Sequence, residues 1–206
     1  IEWGIEKEKM HVIENVLPAI TALEPRALAK GEKRRKFAFF GQINPYKGID
    51  ILLDAFAKLP EEIQEIVTLD IHGASLEHQT GELKDKVAKQ IEALGDIVTM
   101  RGAYESHQLP TLMAECDWVI IPSIWWENSP VVIQEAIAYG RPLIGSNIGG
   151  MKEKIEGIAG ITFDARSSTS LATKISQAID LDFFDGIKLK QTSNNDTLEQ
   201  HLLLLS

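Results

Sequence analysis

The sequence predicts an α/β fold, a doubly wound parallel sheet of six strands with helices on both faces. Short apolar runs alternate with segments of helical pattern from residue 36 to residue 180, which is the rhythm of strand–helix–strand units. The clearest run, Asp117-Trp118-Val119-Ile120-Ile121-Pro122, is apolar throughout and closed by proline, as a strand covered on both faces should be. The connections between parallel strands are expected to be right-handed.

Taken in order, Phe37-Ala38-Phe39-Phe40-Gly41 is the first buried strand, within 36–41. The helix after it, over 47–58, places Ile49, Leu52, Leu53 and Phe56 on one face. Further strands are expected at 67–72, 97–101, 117–122, 142–145 and 160–163. Further helices are expected at 81–94, 106–115, 130–139, 150–156 and 168–180. For the fifth unit, Ser129 before Pro130 reads as N-cap and first helical position, and Gly140 stands where a left-handed C-cap is favoured. Residues 1–35 lack this rhythm. Residues 36–180 form the domain, and 181–206 read as a tail or truncated helix with a turn at Asn194-Asn195-Asp196.

Composition narrows the function classes. A chain of 206 residues, 44% hydrophobic and 25% charged, is ordinary for one globular domain. Its net charge of −9 argues against general nucleic-acid binding, which needs a basic footprint. The basic run Lys30 to Lys36 reads as a solvated linker. The single cysteine, Cys116, excludes an internal disulfide framework and reads as buried. No signal peptide or spanning segment is visible, which leads to the expectation of a cytoplasmic protein. His72 reads as a buried or loop-satisfied histidine, and no histidine–acid spacing points to zinc. No Ser-His-Asp or Cys-His arrangement supports a covalent hydrolase.

The chemistry concentrates after the fourth strand. Glu127 lies just before a helix start, and Glu135 lies on the helix, roughly 7.5 Å further along at 1.5 Å per residue. Such a pair at the carboxyl end of a strand fits a glycosidase acid and nucleophile, a metal site, or acceptors for the hydroxyls of a polyol. It also fits a helix-start charge beside a solvated acid. Metal binding usually needs more ligands than this loop holds. After the first strand, Gly41 allows a close backbone approach, and Lys47 before the helix can neutralise a diphosphate. Arg101, at a strand end, reads first as a salt-bridge residue. Trp125 and Trp126 are unusual in a loop: core burial of at least one is expected first, and packing against another domain or beside a sugar is the alternative that would leave them exposed.

Together these segments resemble the donor-nucleotide domain of the retaining family 4 (group 1) glycosyltransferases, which have the GT-B fold. The similarity runs in family order over residues 10 to 180. It comprises Phe40 to Gly48 as a phosphate loop, Leu69 to Gly73 as a strand and glycine turn, and Val98 to Tyr104 as a base-binding turn. Glu127 and Glu135, with seven residues between them, then look like the paired-glutamate motif, followed by Gly140 to Ile144 and Gly149 to Glu153.

The resemblance implies a Rossmann-like half of a GT-B enzyme that binds a UDP- or GDP-linked sugar without metal or other cofactor. It implies that Glu127 and Lys47 act in catalysis. Donor contacts are implied for Gly41, Gln42, Lys47, Ala103, Tyr104, Glu127, Asn128, Ser129, Pro130 and Glu135. Within that set, Glu135 takes the ribose hydroxyls, Glu127 the sugar, Lys47 the diphosphate, and Tyr104 and Ala103 the base. It further implies that residues 1–35, in which His11 to Pro18 resembles the segment entering this domain, are an interdomain entry segment. An acceptor domain then precedes it, without which the chain cannot transfer sugar, and the full-length enzyme is expected to be able to associate peripherally with the inner membrane face. Gln42 stands where the family usually has an arginine, which removes a fixed positive charge from the leaving group. Three other readings of the residues stay open at this point: a noncatalytic nucleotide-sugar-binding domain, a nucleotide-sugar epimerase on a related fold, and a doubly wound signalling module, which would need an acidic cluster where Gly41-Gln42-Ile43 stands.

Overall fold

The computed structural model describes residues 23, 24, 26–74, 76, 79, 81–127, 130–156 and 160–181. Six strands form one sheet: β1 (Lys36–Phe40), β2 (Thr68–His72), β3 (Val98–Gly102), β4 (Trp118–Ile121), β5 (Leu143–Ser146) and β6 (Gly160–Phe163). Their spatial order is β3-β2-β1-β4-β5-β6, and every pairing is parallel. The helices are α1 (Ile49–Ala57), α2 (Glu61–Gln64), α3 (Glu82–Leu94), α4 (Leu109–Glu115), α5 (Val131–Ala138), α6 (Gly149–Glu156) and α7 (Ser168–Ile179). The predicted fold class stands, with every strand within one or two residues of its expected place. The single turn α2 was not anticipated; it follows Pro60, whose fixed φ suits a helix start.

The two faces of the sheet separate by the period-two alternation of strand side chains. Phe37 and Phe39 of β1, with Trp118 and Ile120 of β4, pack under α1, α3 and α7. Ala38 and Phe40, with Val119 and Ile121, pack under α4, α5 and α6. Both faces are therefore covered, and β4 is buried at all four positions. This explains why its run is continuously apolar rather than alternating.

Two glycines set the ends of helices beside the site. Gly140 takes φ 72 after α5 and its N–H reaches Ile137 O at 2.9 Å, the left-handed cap expected from sequence. Gly48 takes φ 68 immediately before α1, and a Cβ there would lie 2.0 Å from Pro122 O. The backbone leading into α1 is thus pressed against the end of β4. Gly48→Ala combines a disfavoured backbone conformation with a backbone clash. It should cost at least about 2 kcal/mol, read as a lower urea midpoint at unchanged slope. An unchanged midpoint would show that the two loops are not in this contact.

The N-terminal approach corrects one expectation. The stretch before β1 is not simply a solvated basic linker. Arg26 and Arg34 both reach Asp117, a fully buried carboxylate at the start of β4, at 3.0 and 3.3 Å. Lys30, Lys33 and Lys36 remain exposed. Cys116 beside Asp117 is buried, and burial pushes its thiol up to about 12. No helix of the described residues is long and apolar enough to cross a membrane. The terminal segments 1–22 and 182–206, with His11, His201 and the turn at Asn194, lie outside the described residues, as does His78.

Candidate functional site

The strand order reverses direction between β1 and β4. β2 and β3 lie to one side of this pair, β5 and β6 to the other. In open α/β sheets ligands bind at such a switch point, beyond the carboxyl ends of the strands. The loops leaving β1 and β4 carry Lys47 and Glu127, so these are the side chains the topology brings to the crevice.

The two loops are joined directly. Ile124 N–H donates to Tyr46 O at 2.9 Å. Lys47 Nζ donates to both carboxylate oxygens of Glu127 at 2.9 Å, across 80 residues of sequence. Ser123, fully buried at the end of β4, donates its hydroxyl to Glu127 Oε1. Sequence reasoning treated Ser123 only as loop. The one signal for it was a hydroxyl four residues before Glu127, directly after the proline that ends the strand.

Glu135 lies on α5, partly buried, and burial raises its carboxyl above the usual carboxylate range. Tyr104, after β3, is half-buried; burial pushes its phenol up to about 12, with the charge of Glu135 adding to the rise. Tyr139 is raised in the same way, by burial and then by Glu135. The charge of Glu135 is thus felt at both Tyr104 and Tyr139. Tyr104 sets its edge against Phe40 and His72, at ring separations of 5.7 and 6.3 Å. His72 is buried and stacked flat on Phe40 at 4.7 Å, and burial holds it below the ordinary imidazole value. It is the packed histidine expected.

The remaining expected site residues differ in exposure. Gly41 is tied to β2 through its N–H to His72 O at 3.0 Å. Gln42 and Ala103 are exposed at the ends of β1 and β3. Pro130 is buried and is the N-cap of α5, one position earlier than the first-helical-residue assignment, because its ψ of 119 is extended rather than helical. Asn128 and Ser129 lie outside the described residues. Arg101 pairs with Asp70 at 2.9 Å on the neighbouring strand, so its charge is directed along the sheet edge.

The tryptophans correct a second expectation. Neither is in the core: Trp125 is 58% and Trp126 69% exposed. Trp125 meets Tyr46, itself exposed, edge-to-face at 5.2 Å, and Trp126 lies over Gly149 at the start of α6. The short loop from Pro122 to Glu127 is held to its neighbours through Ser123 and Ile124, and both rings lie on its exposed side. Among the described residues no group of three or more His, Cys, Asp or Glu is arranged to hold a metal ion. The arrangement offers one cation, two carboxylates and the N-terminus of α5, which suits a ligand carrying both anionic and hydroxyl groups.

Known proteins resemble this chain in sequence and in fold. The profile of the glycosyl transferases group 1 matches residues 21–197. The lipopolysaccharide 1,2-N-acetylglucosaminetransferase of Salmonella typhimurium is 32% identical over 68% of this chain and 38% of its own length. The D-inositol 3-phosphate glycosyltransferase of Mycolicibacterium smegmatis is 31% identical over 69% of this chain and 32% of its own. In three dimensions the chain is similar to Anabaena Alr3699/HepE in complex with UDP, with a TM-score of 0.67 and 27% identity over 84% of this chain and 49% of that one. The same protein has also been solved with UDP-glucose. The chain thus spans about a third of the length of the two sequence relatives and about half of the structural one. With the family profile covering most of its residues and relatives of that family alike in sequence and in fold, the chain belongs to the group 1 glycosyl transferases.

Proposed function

We propose that this chain is the donor-binding half of a retaining hexosyltransferase of family 4 that uses a UDP-linked sugar without a metal ion. The observation that carries the reading is the convergence of Lys47 and Glu127 at the switch point between β1 and β4. The similarity to HepE, solved with UDP and with UDP-glucose, supports uridine as the base over guanine.

The roles follow from chemistry. Lys47 neutralises the diphosphate, with Gly41 and Gln42 bringing loop backbone to it. Glu135 accepts hydrogen bonds from the ribose hydroxyls, which two fixed carboxylate oxygens can do together. Ala103 and Tyr104 flank the base. Glu127 accepts from the sugar's hydroxyls, with Asn128, Ser129 and Pro130 shaping the backbone around it. In transfer, the bond from the anomeric carbon to the β-phosphate oxygen breaks and the nucleoside diphosphate leaves with the electron pair. A bond from the acceptor hydroxyl oxygen forms on the same face, and the hydroxyl proton leaves with the diphosphate or a base. Lys47 stabilises the charge that develops on the leaving oxygen. The acceptor and the rest of the site belong to a preceding domain of the same protein, in the cytoplasm, with peripheral membrane contact for the whole enzyme.

Calorimetric titration of the 206-residue chain with UDP, GDP and ADP, with and without EDTA, tests this. Saturable binding of UDP that EDTA leaves unchanged is expected. Absence of binding by all three nucleotides, or binding that requires a divalent ion, would count against it. One observation favours a second reading, a noncatalytic binding domain: the phosphate loop exposes Gln42 where an arginine would supply charge. Under the transferase reading, Gln42→Arg in the intact protein should leave transfer present and raise it. Activity that appears only in the variant would favour the noncatalytic reading.

A further inference from the structure

Lys47 has three N–H donors, and two of them go to one carboxylate, Glu127. The pair is accessible, with side chains 30% and 19% exposed, so its charges are open to exchange with an incoming ligand. A phosphate carries the same sign as Glu127 and asks for the same donors. Glu127 also has a second holder, the hydroxyl of buried Ser123, which among the described residues Lys47 does not share. If Lys47 turns to another anion, Glu127 stays anchored at the end of β4 while its other lone pairs become free to accept.

We propose that Glu127 is an internal substitute for the donor's phosphate on Lys47, so that nucleotide binding is a change of partners, and that Ser123 is the positioning residue that keeps Glu127 in place for the sugar once Lys47 has moved. This rests on the donor-binding reading above and adds an order of events to it. Lys47 leaves Glu127 for the diphosphate, and the released carboxylate turns to the sugar hydroxyls. The site therefore answers to the phosphate before it offers its sugar contact.

A double-mutant cycle on the full chain, titrated with UDP, tests the exchange. Breaking a partly exposed ion pair costs about fivefold in affinity. Glu127→Ala removes that cost and should tighten UDP about fivefold. In the Lys47→Met background the same substitution should change nothing, because there is no pair to break. Weaker UDP binding in Glu127→Ala would overturn the proposal, since it would mean that Glu127 helps to hold Lys47 for the phosphate. Equal tightening in both backgrounds would overturn it too, as through-space repulsion without exchange. For Ser123, the reading is the ratio of UDP-glucose to UDP affinity. Ser123→Ala should leave UDP within twofold and abolish the advantage of the sugar-bearing ligand. An unchanged ratio would overturn the positioning role. Failure of the unaltered chain to bind UDP would overturn the donor reading and this one together. UDP binding that depends on Glu135 but is not tightened by Glu127→Ala would overturn the exchange alone.

Discussion

Asp117→Ala should destabilise the chain by about 3–5 kcal/mol, the cost of removing one partner from a buried ion pair. That is a large share of the roughly 5–15 kcal/mol that holds a domain together. The carboxylate is fully buried and collects four donors. Its Oδ2 accepts from Arg26 Nη2 at 3.0 Å and from the backbone N–H of Arg35 and Lys36 at 3.0 and 3.1 Å. Its Oδ1 accepts from Arg34 Nη1 at 3.3 Å. Alanine would take this acceptor from two backbone N–H groups at the start of β1, the central strand of the crevice, and from two part-buried guanidiniums, of which Arg26 keeps Glu32 and Arg34 keeps the carbonyl of Arg26. Asp117→Asn keeps one acceptor oxygen and should cost about half as much. Arg34→Met should cost less still, because Arg26 and the backbone still satisfy the carboxylate. Urea unfolding ranks the three. A loss below about 1 kcal/mol for the alanine variant, the range of exposed pairs, would mean that the N-terminal approach is not docked as described.

The second large effect is on binding. Glu135→Ala removes two acceptor oxygens that, in the proposed function, hold the ribose. Hydrogen bonds to a charged group are worth about 1.5–3 kcal/mol each. UDP affinity should fall at least a hundredfold, with the fold intact by circular dichroism. Stability should move the opposite way in the conservative variant. Burial raises the Glu135 carboxyl above its value in the unfolded chain, about 4.3. Below the unfolded value the group is neutral in both states and its burial carries no charge penalty. As pH rises through the folded value the native state must hold a desolvated carboxylate, and stability is lost. Glu135→Gln should therefore melt higher than the unaltered chain at pH 7, and the difference should vanish by about pH 4. A variant that melts lower at pH 7 would show that the carboxylate has a stabilising partner in the fold. The same logic makes UDP binding weaken as pH falls through the raised value, since the protonated carboxyl has lost acceptor capacity. Under the proposed function, a residue that costs stability where binding uses it is the trade-off expected.

The sheet-edge residues show why some readings could be made locally and others not. Arg101 could be read as a salt-bridge residue because its partner strand was legible, and it pairs with Asp70 on β2. His72 could be read as buried because it ends an apolar run. Trp125 and Trp126 left two readings, and the structure shows the exposed one rather than the core burial expected first. Aromatic residues are buried on average, and nothing within the loop says that Ser123 and Ile124 hold it to its neighbours with the rings outward. Asp117 and Arg34 lie more than eighty residues apart, at a separation of 83, so a buried clamp between them has no local signature.

By itself the sequence determined the succession of strands and helices, the double burial of β4, the glycine cap after α5 and the spacing of Glu127 and Glu135. These depend on periodicity, caps and turn residues, interactions that reach only a few positions along the chain. Only the tertiary structure decided the strand order that sets β1 beside β4 and so brings Lys47 to Glu127. Only it decided the Ser123 anchor, the Asp117 clamp and the outward tryptophans. Charge pairs and exposure depend on which loops meet at the sheet's switch point, and that is fixed by the packing of both faces together, not by any one segment.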